Sequence, residues 1–296
     1  NSHTMGYVSL ACADTYGFPR LIQDIAAELP EELWSRERHA PGAVVGQPED
    51  RVDAVDKVMY RTPDYMLSSV QDYKPGDLGS RELVWRATLG PAAVVFTNHP
   101  GCSSLNPARQ PNYWRGNAVL PRVAQWHDVV IAIYDLPADD WMGFTHAYFP
   151  TYAFDAHVIR KDWAFARKGD GYLALTATHG LSLLEAGMYA HRELRSYGTQ
   201  NVWLCQLGRA AQHGTFEEFQ TAVFRQPLAL EDLSVRYTSL KGDALAFGWE
   251  GAFLRNGNET ALSGLRHFDS IYGVAELPAE EMFIAAGRRA LRLHLK

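Results

Sequence analysis

Residues 163–177, WAFARKGDGYLALTA, contain the pattern that decides the fold. Two apolar runs, Trp163–Arg167 and Tyr172–Ala177, flank the polar turn Lys168-Gly169-Asp170-Gly171. Gly and Asp in a short connection favour a β-hairpin, because both residues tolerate the positive φ angles of its turn. The stretch therefore predicts two antiparallel strands joined by a hairpin.

Short runs rich in β-branched and aromatic residues continue on both sides of this hairpin. Before it they are Val52–Tyr60, Tyr65–Tyr73, Leu83–Leu89, Ala92–Thr97, Ala118–Gln125, Val129–Tyr134, Phe144–Phe149 and Phe154–Arg160. After it they are Leu233–Thr238, Ala244–Trp249, Tyr272–Glu276, Met282–Ala285 and Ala290–Leu295. Strands at this spacing predict a mainly β fold, a large antiparallel β-sandwich preceded by a short helical segment and a linker.

Helical spacing of apolar residues occurs in only a few places. It predicts a helix over Arg20–Leu29 that Pro30 ends, and a short helix over Met188–Ser196. A third helix is predicted over Thr215–Phe224, where Thr215 and Glu218 have the spacing of a capping box.

These patterns divide the chain into three parts. Residues 1–30 form a helical segment, and we expect the chain to begin partway through a larger protein, as an excised domain or a cleaved fragment. Residues 31–51 are polar and interrupted by Pro and Gly, which predicts a linker. Residues 52–296 form the predicted β-sandwich domain.

Composition excludes several classes of function. The 296 residues carry 28 Lys and Arg against 34 Asp and Glu, a net charge of −6, so we expect no nucleic-acid partner. We expect no membrane partner either, because no apolar run approaches the ~20 residues that span a bilayer. Phosphate-cradling and dinucleotide-binding loops are absent, and no cofactor is expected.

The three cysteines, Cys12, Cys102 and Cys205, lie far apart and form no metal-binding pair motif. A reducing cytoplasm fits this usage, and secretion would require a signal upstream of this fragment. His146, Asp155 and His157 match no established zinc pattern, so no metal site is predicted.

The densest functional signal lies between residues 98 and 157, where polar loops contain many aromatic rings. Asn112, Trp114, Arg115 and Trp141 are the candidate substrate-binding residues. Rings can stack on the apolar face of a sugar while amide and guanidinium groups bond its hydroxyls. The alternative is that both tryptophans cap the sandwich core.

His146 and Tyr148 are two residues apart on a predicted strand and therefore share a face. An imidazole and a phenol side by side can take up and return a proton, although a buried core pair is the alternative. Asn98 and His99 end another strand, and Tyr65 beside Asp64 is a further candidate phenol.

The order of helix, polar linker and long antiparallel β region resembles the C-terminal portion of heparinase II/III-like polysaccharide lyases. The phrase at residues 162–175, DWAFARKGDGYLAL, is similar to a hairpin that their sandwiches often carry. Such proteins join an α/α toroid to a β-super-sandwich and bind substrate between the two. The resemblance implies a polysaccharide or oligosaccharide substrate and an upstream α/α domain or companion fragment as partner. Residues 1–30 would then be the tail of that α/α domain.

If the resemblance holds, it implies β-elimination at a uronic acid. Tyr148 and His146 would then transfer protons, Asn98 and His99 would lie near the substrate carboxylate, and Tyr65 would be a reserve phenol. Trp114, Arg115 and Trp141 would bind the sugar. Three alternatives remain: a glycoside hydrolase of the same toroid-plus-sandwich build, a non-catalytic carbohydrate-binding or scaffold sandwich, and an ordinary sandwich whose aromatic residues all belong to the core.

Overall fold

The protein is described from a computed structural model, which describes residues 17, 19–39, 41–44, 47–80, 83–102, 111–276 and 280–294. The part of the predicted helical segment before residue 17, including Cys12, lies outside these residues. The helices in the described ranges are α1 (Arg20–Ala27), α2 (Ala210–His213) and α3 (Phe216–Phe224), with a 3₁₀ turn at Thr151–Ala153. None of these helices has the length and apolar character that crossing a bilayer requires.

The strands occupy most of the described chain. In the first half they are β1 (Leu33–His39), β2 (Gly42–Val44), β3 (Gln47–Val52), β4 (Val55–Arg61), β5 (Met66–Val70), β6 (Leu78–Ser80), β7 (Trp85–Thr88), β8 (Val94–Asn98), β9 (Asn117–Val119), β10 (Arg122–Trp126), β11 (Val129–Asp135) and β12 (Phe144–Tyr148). In the second half they are β13 (Ala156–Ile159), β14 (Ala164–Lys168), β15 (Gly171–Ala177), β16 (Ser182–Leu183), β17 (Glu193–Tyr197), β18 (Gln200–Arg209), β19 (Leu228–Glu231), β20 (Ser234–Thr238), β21 (Ala244–Gly248), β22 (Leu254–Arg255), β23 (Asn258–Glu259), β24 (Phe268–Ser270), β25 (Gly273–Ala275), β26 (Glu281–Ala286) and β27 (Arg289–His294).

Three antiparallel sheets form the body of the molecule. The large sheet has twelve strands in the order β16-β17-β12-β8-β7-β5-β4-β1-β24-β25-β26-β27. The middle sheet has six, β10-β11-β18-β15-β14-β13, and the third sheet has five, β19 to β23 in sequence order. The prediction of a mainly β fold with large antiparallel sheets packed as a sandwich is confirmed.

Alternation along β11 shows how the sheets stack. Ala132 and Tyr134 point into a core shared with the large sheet, which we call the first core. Ile131 and Ile133 point the other way, into a second core shared with the third sheet and α3. Because side chains alternate along a strand, one strand serves both cores, and both faces of the middle sheet are buried.

Two local predictions are confirmed residue by residue. The turn 168–171 closes a hairpin in which Lys168 of β14 pairs with Gly171 of β15. At α3 the Thr215 hydroxyl accepts from the Glu218 amide at 3.2 Å, and Glu218 Oε2 accepts from the Thr215 amide at 2.7 Å. This reciprocal capping box satisfies amides at the start of the helix that have no partner within it.

Two other segments differ from the prediction. The expected linker contains β1, β2 and β3, and β1 lies inside the large sheet between β4 and β24. The expected helix over Met188–Ser196 is instead a turn followed by β17, which pairs with β12. Packing between strands distant in sequence decides both segments.

The outer face of the large sheet, directed away from the middle sheet, positions the candidate site. There β8 carries Asn98, β12 carries His146 and Tyr148, and β17 carries Glu193 and Arg195, each alternating with residues buried between the sheets. The segment 111–116 approaches these side chains and leads into β9, which pairs with β6.

Candidate functional site

His146 lies at the centre of a buried polar network on the outer face. Its Nδ1 is 3.1 Å from Glu193 Oε1, and its Nε2 is 3.0 Å from the carbonyl oxygen of Tyr113. Neither the His146 nor the Glu193 side chain is exposed to solvent. Both ring nitrogens thus have partners within the protein, and the His146 ring is enclosed.

Glu193 Oε1 holds the network together. It accepts from Tyr113 Oη at 2.5 Å and from Arg195 Nε at 2.7 Å, and an Arg195 terminal nitrogen donates to Tyr113 Oη at 2.8 Å. Burial raises the pKa of Glu193, but hydrogen bonds from His146, Arg195 and Tyr113 outweigh it and hold the pKa below its ordinary value. The carboxylate is therefore charged at neutral pH.

Burial lowers the pKa of His146. Glu193 and the Tyr113 carbonyl oppose this effect, because hydrogen bonds from the ring to these two oxygens favour the protonated imidazole over the neutral one. Glu193 and Arg195 thus provide a fixed ion pair under the outer face, with His146 held against it.

The indole ring of Trp114 covers this network. It stacks on the His146 imidazole with ring centroids 4.1 Å apart and an interplanar angle of 5°. Phe96 and Tyr148 contact the indole at steep angles, with centroids 6.2 and 5.4 Å away. Tyr113 stacks on Tyr189 with centroids 4.2 Å apart. Trp114 is half-buried, and its ring orientation is fixed on several sides.

Tyr148 is the phenol that this arrangement leaves partly accessible. Its hydroxyl lies 3.1 Å from that of Tyr152, and its ring stacks on Phe96 at 5.3 Å and 13°. Burial, together with Tyr152, raises the pKa of Tyr148 to about 12. Tyr148 is therefore protonated at neutral pH, and Tyr152, 66% exposed, connects it to solvent.

Asn98 and His99 are both buried next to the network. Asn98 Nδ2 donates to the carbonyl oxygens of Tyr113 and Gly116 at 3.1 and 3.0 Å and so holds residues 111–116, the covering segment, in place. His99 Nε2 is 3.2 Å from Asp140 Oδ1. Burial lowers the pKa of His99, against the effect of Asp140. Asn98 thus supports the segment that carries Trp114, whereas the His99 ring faces Asp140 in the loop between β11 and β12.

The predicted sugar-binding residues lie in different positions. Asn112 is buried, and its Oδ1 accepts from the Trp114 amide at 3.2 Å, so it shapes the turn that presents Trp114. Arg115 next to it is exposed. Trp141, 65% exposed, belongs to the loop between β11 and β12.

Tyr65 lies away from this cluster. It is buried in the first core, between the large and middle sheets, with its ring centroid 6.1 Å from that of Tyr60. Burial raises its pKa. The structure therefore brings together Asn98, His146, Tyr148 and Trp114 and places Tyr65 elsewhere.

Four members of the site were not among the sequence candidates: Tyr113, Tyr152, Glu193 and Arg195. Glu193 and Arg195 alternate with Leu194 and Ser196, which is a period-two signal, but they fell within the predicted helix Met188–Ser196. Tyr113 directly precedes Trp114, which was a sequence candidate, and this adjacency could have identified Tyr113 as a site residue.

The described residues contain no group of three or more His, Cys, Asp or Glu side chains able to hold a metal ion. Of the set His146, Asp155 and His157, His146 contacts Glu193 at 3.1 Å and Asp155 pairs with Lys168 at 2.7 Å.

No known protein family, curated protein or solved structure matches the chain. The assignment of function therefore depends on the site itself.

Proposed function

We propose that the protein binds a uronic-acid-containing polysaccharide or oligosaccharide on the outer face of the large sheet and cleaves it by β-elimination. The observation that carries the proposal is the hydroxyl pair of Tyr148 and Tyr152, 3.1 Å apart, beside the indole ring of Trp114. A paired acceptor and donor next to an aromatic platform are the elements that this reaction requires.

In the proposed reaction the C5–H bond of the uronate breaks, its electrons form the C4–C5 double bond, and the C4–O bond breaks. Tyr152 Oη takes the C5 proton while its own hydroxyl proton passes to Tyr148 Oη, 3.1 Å away, and Tyr148 gives its proton to the departing oxygen. A raised pKa suits Tyr148 to the donor role, because it is a phenol at neutral pH. One proton is taken and one returned, so the step is balanced.

The remaining residues position the substrate. A uronate ring would stack on the exposed part of Trp114, and the exposed guanidinium of Arg115 would neutralise the substrate carboxylate. That neutralisation makes the carbanion-like intermediate accessible. In this proposal His146 and Asn98 act indirectly, because His146 stacks on Trp114 and Asn98 holds the covering segment, while the His99 ring pairs with Asp140.

Removal of the Tyr148 hydroxyl tests the proposal. The chain is incubated with a panel of uronate polysaccharides while ultraviolet absorbance is followed, because the new double bond conjugated to the carboxylate absorbs. We expect turnover by the wild type and a loss of about 10²–10⁴-fold in Tyr148→Phe. Tyr73→Phe, at a half-buried tyrosine outside the site, is the matched control and should retain wild-type turnover.

The same assay separates the alternatives. Wild-type turnover with a loss below about tenfold in Tyr148→Phe would remove Tyr148 from proton transfer. Release of reducing ends without ultraviolet absorbance would indicate a glycoside hydrolase. Binding without either signal would indicate a non-catalytic carbohydrate-binding protein, an alternative favoured by the complete burial of His146 and Asn98.

A further inference from the structure

A second feature of the outer face is a cavity of about 660 Å³ over β1, β4, β5 and β7. The strands contribute Ser35, Lys57, Ser68 and Arg86 to its wall, and the covering segment contributes Arg115. The cavity thus extends from the middle of the large sheet toward the candidate site.

The wall of this cavity is basic, although the whole chain carries a net charge of −6. Among the described residues that line the cavity, Lys57, Arg86 and Arg115 are the cations and Glu37 is the carboxylate, 3.4 Å from Lys57 Nζ. Arg86 and Arg115 are both exposed. A concave surface with an excess of cations concentrates anions from solution, and guanidinium groups bind carboxylate or sulfate with two parallel hydrogen bonds.

Strand register connects the cavity to the candidate site. Ser35 is paired with Met59, Met59 with Ser68, and Ser68 with Arg86. Because Ala87 is opposite Val95, Arg86 is opposite Phe96, which is opposite Tyr148.

These residues form one continuous row across the outer face. Arg86 and Tyr148 are separated by two strand spacings, or about 10 Å. An extended ligand lying along this row would reach both places at once.

We propose that this cavity is a binding site for an anionic group of an acidic saccharide chain. The adjoining portion of the same chain then lies at Tyr148 and Trp114. The placement of that adjoining portion rests on the proposed function, whereas anion binding by the cavity does not. Ser35 and Ser68 supply hydroxyl groups that bond sugar hydroxyls, while Lys57 and Arg86 bind the charged group.

Isothermal titration calorimetry of the full chain tests the proposal with a galacturonic acid hexamer as the probe. The fully methyl-esterified hexamer has the same length and linkage but no charge, so it is the ligand control. We expect the acidic hexamer to bind and the ester to bind at least about tenfold more weakly, and Arg86→Ala or Lys57→Ala to weaken the acidic hexamer by about tenfold.

Two protein variants sharpen this test. Glu37→Gln removes the carboxylate from the cavity and should tighten binding of the acidic hexamer. Arg236→Ala removes an exposed arginine from the third sheet and should leave the dissociation constant unchanged. Thermal unfolding of each variant verifies that the fold is intact. Equal binding of the acid and the ester, or wild-type binding by both Arg86→Ala and Lys57→Ala, would overturn the proposal.

The outcomes for the cavity and for the lyase are independent. Charge-dependent binding that Arg86→Ala weakens, without any ultraviolet signal, would support the cavity site and reject the lyase. An ultraviolet signal that requires Tyr148, with a KM unaffected by Arg86→Ala, would support the lyase and reject the cavity site.

Discussion

His127 shows how a single residue is constrained in this fold. It occupies the turn between β10 and β11 with φ of 47°, a left-handed conformation that is costly for most residues other than glycine. Its ring stacks on Trp126 and Tyr60, with centroids 4.7 and 5.2 Å away. Burial and, secondarily, Lys241 lower its pKa, so the folded chain favours the neutral imidazole.

This constraint predicts loss of stability in mild acid. Because the folded pKa of His127 is below the ordinary value of 6.5, the unfolded chain binds a proton first as pH falls. We expect the free energy of unfolding to decrease below pH 6.5, with His127 contributing up to about 1.4 kcal/mol per pH unit. His99, His146 and His213, whose pKa values are also lowered, add in the same direction.

Urea unfolding as a function of pH measures this effect. His127→Asn keeps a residue that tolerates the left-handed conformation and removes the titrating ring, so its stability should depend less steeply on pH. His157→Asn, at an exposed position, is the control and should retain the wild-type slope. A His127→Asn slope equal to that of the wild type would contradict the prediction.

At the scale of elements, α3 packs closely against β18 at Gly208, where Phe219 of the helix lies over the strand. A Cβ added at Gly208 would lie 2.5 Å from Phe219 Cε2 and 2.8 Å from His213 Cδ2. These distances are too short for any contact between carbon atoms, so the two rings or the elements that carry them would have to shift.

We therefore expect Gly208→Ala to lower the free energy of unfolding by about 1–3 kcal/mol, measured by chemical denaturation. Gly42→Ala, where a new Cβ meets nothing within 4 Å, is the control and should lose less than about 0.5 kcal/mol. Phe219→Leu combined with Gly208→Ala should recover part of the loss, because the two side chains share one space. Additive effects of the two substitutions would argue against this contact as the cause.

Elements with a strong local signal were predictable from sequence. The 168–171 hairpin and the Thr215 cap depend on residues a few positions apart, and both were predicted correctly. β18 gave no such signal, because both its faces are buried and its sequence does not alternate. The charged residues of β1 led to the prediction of a linker. In the folded chain these charges have partners distant in sequence: Arg38 bonds Asp56 at 2.9 Å, and Arg36 pairs with Asp269.

The candidate site was predictable to a similar extent. Period-two spacing correctly placed His146 and Tyr148 on one face, but nothing local indicated that His146 would be enclosed by Glu193, 47 residues later in the chain. Tyr65 looked like any other phenol next to a carboxylate, and only its position relative to the two sheets distinguishes it. Burial and long-range pairing decide which candidates are accessible, and a single sequence contains neither.

At the scale of the whole molecule, the middle sheet connects both cores. Leu67 packs in the first core and Phe247 in the second, and β11, β15 and β18 contribute side chains to both. Neither outer layer can separate without exposing one face of the middle sheet to water.

We therefore expect a single cooperative unfolding transition that involves both cores. Leu67→Ala should cost about 2–5 kcal/mol and Phe247→Ala about 3–5 kcal/mol, and each should shift the whole transition. Tryptophan fluorescence and far-ultraviolet circular dichroism, recorded on the same samples, should give coincident curves. Val274→Ala, at an exposed position, is the control. Two separate transitions, with each variant shifting only one, would show that the layers unfold independently.

The enclosure of the middle sheet also bears on how this chain can evolve. A substitution in β11, β15 or β18 must suit the packing of two cores at once, so few changes are tolerated there. The outer face of the large sheet is free of that double requirement. Divergent descendants of this chain would thus keep the middle sheet and vary the side chains around Trp114 and Arg86. Such changes would alter the ligand preference while the fold stays the same.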